Sequence, residues 1–330
     1  MDLNDLKLIR KMFLCWIMRF ILILIGCLFS FNAQNTVLME EQKVNEDKPI
    51  ISFTFDDGKT SDLGGYKLID WHGRILRALD KHQLKAIMFV AGHNKKTANG
   101  KYVLSTWNDA GHFLANHTLN HPNFNDDAVT LAQFENELLA DEEVLKNYSN
   151  FIKLFRFPYL KEGNTPEKVS GFRAFLKQHG YKHGAVTVDA SDWYIDSRLR
   201  KRLTENPEAA IEGFKKYYIN HLYEKAVFYD SISLVLNGRH IAHSLLLHHN
   251  LVAGLFLDDV ITHFKTKGWR VVDAHKAFED PIYNTITNTV PAGESLTWSM
   301  AKQSGKFDKI LRYPAEGDQY EKDKMDALGL

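Results

Sequence analysis

The chain has 330 residues, which is enough for one large domain with a substantial core. Its 41 basic side chains balance its 41 acidic ones, so no global field attracts nucleic acid or an anionic membrane, and we expect no nucleic-acid partner. Hydrophobic residues at 45% and charged residues at 25% are typical of a soluble globular protein.

The N-terminal segment 1–34 predicts export. Arg19 precedes a short apolar run that begins at Phe20, and small or polar residues follow. The run is short for a membrane span, which favours a secretory signal cleaved near Ala33 over a retained membrane anchor. Cys27 also fits a lipoprotein signal, so a lipid anchor there stays open as the route to a membrane. We expect a periplasmic, cell-surface or secreted protein.

Residues 35–48 are polar and charged and predict a linker. Both cysteines, Cys15 and Cys27, precede it, so the chain after the export signal has no cysteine and forms no disulfide. Any metal bound there must therefore use nitrogen and oxygen ligands.

From Pro49 onwards, short apolar runs alternate with longer helix-like stretches. The runs that predict strands are Ile50–Phe55, Ala86–Val90, His112–Asn116, Leu154–Phe157, Gly184–Asp189, Ser244–His248 and Trp269–Asp273. The stretches that predict helices are Trp71–His82, Tyr102–Ala110, Leu131–Tyr148, Pro166–His179, Pro207–Tyr218 with its continuation to about Leu236, and Val252–Lys267. This alternation predicts a parallel α/β architecture. About seven units favour a complete or incomplete barrel, although an open doubly wound sheet gives the same pattern.

Two segments stand apart from this alternation. Residues 195–240 predict a long, charged helical insertion between two strands. Residues 284–330 show little apolar periodicity and predict a C-terminal extension that runs over the surface.

The candidate functional residues lie at or after the C-terminal ends of predicted strands, where barrel folds place active sites. The first motif, Thr54–Gly58, ends a buried strand with two neighbouring carboxylates, Asp56 and Asp57. Neighbouring side chains on an extended backbone point to different sides, so one can bind a metal while the other serves as a base. An Asp-Gly pair is also common in turns, which is the alternative for this motif alone.

The second motif is His117–His121. Its two histidines lie four residues apart, on one face of a predicted helical turn, and can share a zinc ion. An ordinary surface helix is the alternative for such a pair. Thr118 occupies the position at which the zinc-protease motif has Glu, so a base must come from elsewhere, and Asp56 is the candidate.

The third motif, Arg156–Tyr159, ends another predicted strand. Arg156 can hold a carboxylate there in a bidentate contact, and the alternative is a surface Arg beside a turn proline.

The last two motifs, Asp189–Trp193 and Leu246–His248, also end strands. A histidine there with a carboxylate nearby is a general-acid arrangement, whereas a satisfied core histidine and simple packing of Trp193 are the alternatives. Strand alternation separates His248 from His249, and the spacing from Leu246 selects His248.

In this order the five motifs resemble those of the polysaccharide deacetylase family (NodB homology, carbohydrate esterase family 4). The family patterns TFDDG, H-[ST]-x-x-H, R-x-P-Y, D-x-x-D-W and L-x-H all match, over roughly Pro49–Ala277. The resemblance implies an α/β fold of the distorted (β/α)7-type barrel kind. It would form a single catalytic domain over residues 49–283 that contains the helical insertion of about 195–240.

The resemblance also implies a role for each motif residue. A divalent metal, most often zinc although cobalt or another divalent ion suits the same donors, would be held by Asp57, His117 and His121. Asp56 would be the general base, with Arg156 as its partner. His248 would be the general acid, with Asp192 as its partner. The backbone N–H of Tyr159 would stabilise the oxyanion, and an apolar wall around the acetyl methyl would come from Trp193 and Leu246.

The implied activity is removal of N-acetyl groups from an N-acetylated polysaccharide or oligosaccharide, such as peptidoglycan, a chitin-like polymer or exopolysaccharide. An O-acetyl esterase on xylan and an amidohydrolase on a non-sugar amide suit the same site. A non-catalytic glycan-binding relic suits the same fold, but an intact base, ligand set and acid favour the enzyme. The expected partner is an acetylated glycan, and the sequence leaves the particular glycan and the oligomeric state open.

Overall fold

Strands and helices alternate from Ile50 onwards in the computed structural model, which describes residues 48–315 and 317–330. The strands are β1 (Ile50–Asp57), β2 (Ile87–Val90), β3 (Phe113–Asn116), β4 (Phe151–Phe155), β5 (Lys161–Gly163), β6 (Lys182–His183), β7 (Ala242–His248), β8 (Arg270–Val271) and β9 (Ala292–Gly293). The helices are α1 (Leu68–Lys81), α2 (Ala98–Asp109), α3 (Leu131–Leu145), α4 (Pro166–Gln178), α5 (Asp192–Glu205), α6 (Glu212–Asn237), α7 (Leu251–Thr266), α8 (Ala274–Ala277), α9 (Leu296–Ser304) and α10 (Gln319–Ala327). The predicted export signal, Cys15, Cys27 and the predicted linker up to residue 47 lie outside the described residues.

The main sheet has seven strands in the spatial order β6-β4-β3-β2-β1-β7, with β8 beside the start of β1. Every pairing in it is parallel. Beyond β6 the chain reaches the other edge, where Val188 forms a parallel bridge with Leu245 of β7. Because one segment touches both edges, the sheet curls into a distorted barrel, and the predicted fold class is confirmed.

The strand β1 positions the first motif. Its residues from Ile51 to Asp56 are all buried, as expected for a parallel strand covered on both faces. The register pairs Asp56 with Phe89 of β2 and with His248 of β7. The first and last motifs therefore meet at the C-terminal edge of the sheet.

The predicted strand Gly184–Asp189 is wrong in its position. The regular strand is β6, which ends at His183, and beyond it only Val188 pairs with a neighbouring strand. The N–H groups of Thr187 and Val188 both donate to the carbonyl oxygen of Ser244, so the backbone does not follow a regular ladder there.

The predicted insertion contains the helices α5 and α6, and α5 begins inside the fourth motif. The 26 residues of α6 bury Phe214, Tyr218 and Tyr229 in the cluster that also contains the barrel strands. The insertion therefore shares the core of the barrel. Among the described helices none combines the length and the apolar character that crossing a bilayer demands.

The C-terminal extension, which was predicted to run over the surface, also pairs with a strand and contributes buried residues to the core. Its strand β9 pairs antiparallel with β5, and Leu296 N–H donates to the carbonyl of Val186 at 2.6 Å. Trp298 and Met325 are buried in the core. Because these buried residues are spread over short elements, the sequence shows no apolar period from which their burial could be predicted.

Candidate active site

Two neighbouring carboxylates end β1 in different surroundings. Asp56 is buried, whereas Asp57 is partly exposed and has a left-handed backbone with φ 75°. A left-handed residue breaks the alternation of an extended strand, and both carboxylates line one cavity. They differ in depth within that cavity, so one is accessible and the other is held against the protein interior.

Arg156 holds the deeper carboxylate. It is fully buried, its Nη1 donates to Asp56 Oδ1 at 2.6 Å and to Thr54 Oγ1 at 3.0 Å, and its guanidinium lies 3.8 Å from the ring centre of Phe89. Its Nε donates to the carbonyl of Gly184 at 2.9 Å. The alternative of a surface Arg is thus wrong, and so is the bidentate contact, because one nitrogen meets the carboxylate while the others bind elsewhere.

The protonation state of Asp56 follows from this burial. Burial raises the pKa of Asp56 above its ordinary value and outweighs the attraction of Arg156 and His248, which acts in the opposite direction. A carboxylate with a raised pKa accepts a proton more readily than an exposed one.

His117 has a fixed tautomer. Its Nδ1 lies 2.7 Å from the carbonyl oxygen of Arg156, which can only accept, so the proton sits on Nδ1. Nε2 is then the free lone pair, and it lies 3.6 Å from Asp56 Oδ2. The Nε2 of His121 lies 3.6 Å from Asp57 Oδ1. A backbone carbonyl that orients one ring nitrogen is the usual support of a metal-binding histidine.

The predicted helical turn around these histidines is wrong. The segment His117–His121 is a loop in which Thr118 has φ 69° and His121 has φ 56°. Side-chain hydrogen bonds hold this loop, because Thr118 Oγ1 accepts from His121 N–H at 3.1 Å and Asn116 Oδ1 accepts from Thr118 N–H at 3.0 Å. Left-handed backbone disfavours a β-branched residue such as Thr, so these bonds stabilise a strained conformation.

One donor atom from each of Asp57, His117 and His121 lies within 4.8 Å of the others. Burial lowers the pKa of both histidines to about 4, so the imidazoles are neutral at neutral pH. Burial opposes ionisation of Asp57, but the surrounding histidines, His248 first among them, lower its pKa to about 2. Neutral imidazoles and an ionised carboxylate are the forms that coordinate a divalent cation, so the three residues fit such an ion.

His248 stands opposite this group with its own carboxylate. Its Nδ1 lies 2.6 Å from Asp192 Oδ1, and its N–H donates to Asp192 Oδ2 at 2.8 Å. Burial opposes the charged form of His248, but the attraction of Asp192 outweighs it and raises the pKa to about 9. The adjacent His249 is fully buried, and its Nε2 lies 2.7 Å from Nδ1 of His72.

These residues share a cavity of about 840 Å³. Every predicted site residue lines it except Arg156 and Asp192, which lie behind Asp56 and His248. The side chain of Trp193 is 40% exposed, and that of Tyr159 is 59% exposed, with its ring centre 4.5 Å from that of His121. Leu246 is buried against Leu160 and Val186.

The sequence missed other residues that line the cavity. They are mostly polar or charged and include Lys59, Lys95, Lys161, Glu294, Asp318 and Gln319. Glu294 forms an ion pair with Lys161, so the C-terminal extension contributes a charged wall. Lys59 directly follows the first motif and Lys95 follows the second strand, which is a positional signal, whereas the tail residues carry no signal in the sequence.

Both the sequence and the fold of this chain are similar to those of known proteins. Residues 43–184 match the family model described as polysaccharide deacetylase. This match contains the first three motifs and ends before the last two. The chain is also 26% identical over 230 residues to the peptidoglycan-N-acetylmuramic acid deacetylase of Bacillus subtilis (strain 168), covering 68% of this chain and 70% of that protein.

Two solved structures are similar to this chain. A mutant of BA3943, a carbohydrate esterase family 4 pseudoenzyme whose unmutated form is from Bacillus anthracis, matches with a TM-score of 0.50 at 20% identity, covering 70% of this chain and 68% of that chain. The family 4 carbohydrate esterase from Streptomyces lividans matches with a TM-score of 0.44 at 20% identity, covering 68% and 91%. The first likeness supports the fold alone. The resemblance predicted from the motifs is confirmed, because residues 43–184 match the polysaccharide deacetylase family model and the fold agrees.

Proposed function

We propose that this protein is a metal-dependent hydrolase that removes N-acetyl groups from an acetylated glycan. The observation that carries the proposal is one cavity in which the donor group of Asp57, His117 and His121 lies beside a buried base and a charged acid. The match to the family model supports the reaction class, and the name of the Bacillus subtilis relative supports peptidoglycan as the glycan.

Asp57, His117 and His121 would hold the divalent ion. Zinc suits two imidazoles and one carboxylate with further positions left for ligands, and cobalt suits the same donors. When bound, such an ion supplies Lewis acidity to water and to the acetyl carbonyl oxygen. The chain itself keeps the donors ready, since the carbonyl of Arg156 fixes the tautomer of His117.

Asp56 is proposed as the general base. Its raised pKa favours uptake of a proton from the attacking water, and Arg156 holds its carboxylate through Oδ1. Oδ2, which lies 3.6 Å from His117 Nε2, is then the oxygen that faces the donor group and takes the proton.

His248 is proposed as the general acid. The Asp192 carboxylate keeps its proton on Nδ1 and raises its pKa, so His248 carries a second proton on Nε2 at neutral pH. That proton goes to the nitrogen of the leaving amine as the carbon–nitrogen bond breaks. The backbone N–H of Tyr159 would stabilise the oxyanion, while Trp193 and Leu246 would enclose the acetyl methyl.

Export is part of the proposal, because peptidoglycan lies outside the cytoplasm. It is supported by the basic flank at Arg19 and the apolar run that follows. Cell fractionation of the wild type and of Cys27→Ser distinguishes the two routes. Loss of membrane association in the variant supports a lipid anchor, and a soluble exported wild type supports simple cleavage.

The experiment that tests the proposal is acetate release with and without a chelator. The substrates are peptidoglycan, N-acetylglucosamine oligomers, poly-N-acetylglucosamine and acetylated xylan. Chelator-sensitive release from an N-acetylated glycan, restored by zinc, is the expected result. Release from xylan alone would replace the proposal with an O-acetyl esterase. Metal binding without release from any substrate would contradict catalysis and favour a glycan-binding protein on this fold.

A further inference from the structure

Two lysines on one wall of the cavity have no part in the proposed reaction. Lys95 follows the short 3-10 turn Gly92–Asn94 after β2, and its side chain is buried with 3% exposure. Lys59 follows Gly58 at the end of the first motif. Both lysines line the cavity that contains the metal-donor group.

The ammonium of Lys95 reaches the cavity wall because Gly58 has no side chain. A Cβ added at Gly58 would lie 3.0 Å from Lys95 Cε and 3.7 Å from its Nζ. Asp57 and Asp141 attract this ammonium from a distance, but among the described residues Lys95 Nζ has neither a hydrogen bond nor an ion-pair partner. Within the described part of the chain, no carboxylate therefore lies in ion-pair contact with this buried cation beside the open cavity.

Lys59 is only weakly paired. Its Nζ lies 3.9 Å from Asp196 Oδ2, but the same oxygen accepts from Arg200 Nε at 2.7 Å. The other oxygen of Asp196 accepts from two backbone N–H groups at the start of α7. Lys161, in contrast, forms a close ion pair with Glu294. Among the described lysines of the cavity, the two with the weakest pairing are therefore Lys59 and Lys95, and both lie on one wall.

An unpaired ammonium is costly to bury, and burial lowers the pKa of Lys95 to about 8 against the attraction of Asp57 and Asp141. A ligand that brings an anionic oxygen to Nζ removes this cost and forms a charge-assisted hydrogen bond. The simplest anionic group of a sugar chain is a carboxylate. It can belong to a lactyl group that is ether-linked to the acetamido sugar, or to a neighbouring uronic acid.

We propose that Lys95, assisted by Lys59, forms a subsite for a carboxylate on the glycan, so that the cavity selects acidic acetamido sugars over neutral ones. This inference rests on the proposed deacetylase function and names the feature of the substrate that the site recognises. Lys95 is a specificity-determining residue, and the hydrolytic step needs no contribution from it.

The test compares glycan strands that differ only in charge. Peptide-free peptidoglycan strands are used before and after reduction of their lactyl carboxylates to alcohols, and oligosaccharides of alternating N-acetylglucosamine and glucuronic acid form a third arm. We expect Lys95→Met to lower the kcat/KM ratio of carboxylated over reduced strands about tenfold, mainly through KM, as expected for one lost hydrogen bond to a charged group. Lys96→Met, at an exposed neighbouring lysine, is the matched control and should keep the ratio.

Equilibrium binding to the metal-free protein, measured by calorimetry, separates this proposal from the proposed function. Tighter binding of carboxylated than of reduced strands, abolished in Lys95→Met, supports the subsite even if no substrate releases acetate. Equal binding of the two strands by the wild type overturns it, and so does an unchanged preference in Lys95→Met. If Lys95→Met fails to fold, Lys59→Met should weaken the same preference in part. A preference confined to the lactyl or to the uronic arm identifies the source of the carboxylate.

Discussion

Asp56 and Asp57 are neighbours in the chain, yet their contacts predict different effects of substitution. Asp57 lies within the donor group, so Asp57→Ala should abolish stoichiometric zinc binding. Asp56 contacts Arg156 and lies at the edge of that group, so Asp56→Asn should retain zinc while the turnover number falls at least about a hundredfold, as expected when a general base is lost. Metal content by mass spectrometry and acetate release measure the two effects separately.

Asp62→Asn, at an exposed residue, is the control, because within residues 48–315 and 317–330 the hydrogen bonds of Asp62 go to Lys67 and to the start of α1. It should match the wild type in both measurements. Full turnover in Asp56→Asn would exclude Asp56 as the base, and stoichiometric zinc in Asp57→Ala would remove Asp57 from the ligand set.

The contact between His248 and Asp192 leads to a prediction about how turnover depends on pH in the alkaline range. Because the acid must carry its proton, turnover above neutral pH should stay constant at first and then fall as pH rises through the pKa of His248, about 9 in the metal-free protein. Asp192→Asn removes the carboxylate at 2.6 Å, so the limb should move to lower pH by about one unit or more. The pH dependence of kcat and the NMR titration of His248 in metal-free protein measure the shift.

A matched control for this shift is Asp258→Asn, which removes a carboxylate that lies 2.8 Å from the Nε2 of His82, because neither residue lines the cavity. It should leave the alkaline limb in place. A limb that stays unchanged in Asp192→Asn would mean that the group that titrates there is not His248.

At the scale of single elements, regular strands could be predicted and irregular segments could not. The L-x-H spacing selects His248 over His249 because β7 is a regular strand, and the structure has His248 at the cavity and His249 buried. The spacing of His117 and His121 predicted a helical turn, but two left-handed residues make it a loop. Side-chain hydrogen bonds decide that conformation, and periodicity does not report them.

The loop predicts how a residue outside the donor group affects metal affinity. Thr118→Val keeps the branched shape but removes the oxygen that accepts from His121 N–H at 3.1 Å. Loss of one such bond costs about 1 kcal/mol, so zinc affinity should fall about fivefold. Competition against a chromophoric chelator measures it. Thr118→Ser retains the hydroxyl and should bind zinc nearly as the wild type does; equal weakening in both variants would assign the effect to backbone strain instead of the hydrogen bond.

At the scale of the whole molecule, the barrel could be predicted but one wall of its cavity could not. Parallel strands that are buried on both faces form continuous apolar runs. For this reason the order of strands and helices could be predicted from the sequence. The wall that contains Glu294 and Gln319 comes from the extension, whose contacts are long-range and use short elements. A segment of this kind is held by individual buried residues, and Trp298 is the largest of them in the main core cluster.

We therefore expect a substitution at Trp298 to lower the stability of the fold and to loosen the cavity wall as well. Its ring is buried and its Nε1 donates to the carbonyl of Arg312 at 2.7 Å, so Trp298→Ala should lower the free energy of unfolding by about 3–5 kcal/mol. Because Gly317 and Gln319 follow this anchor and line the cavity, their amides should exchange faster with deuterium and the KM for glycan should rise. Ile286→Ala, at a side chain that is 67% exposed in the same extension, should change unfolding by no more than about 0.5 kcal/mol. Destabilisation without faster exchange at those amides would mean that the cavity wall is held independently of the Trp298 anchor.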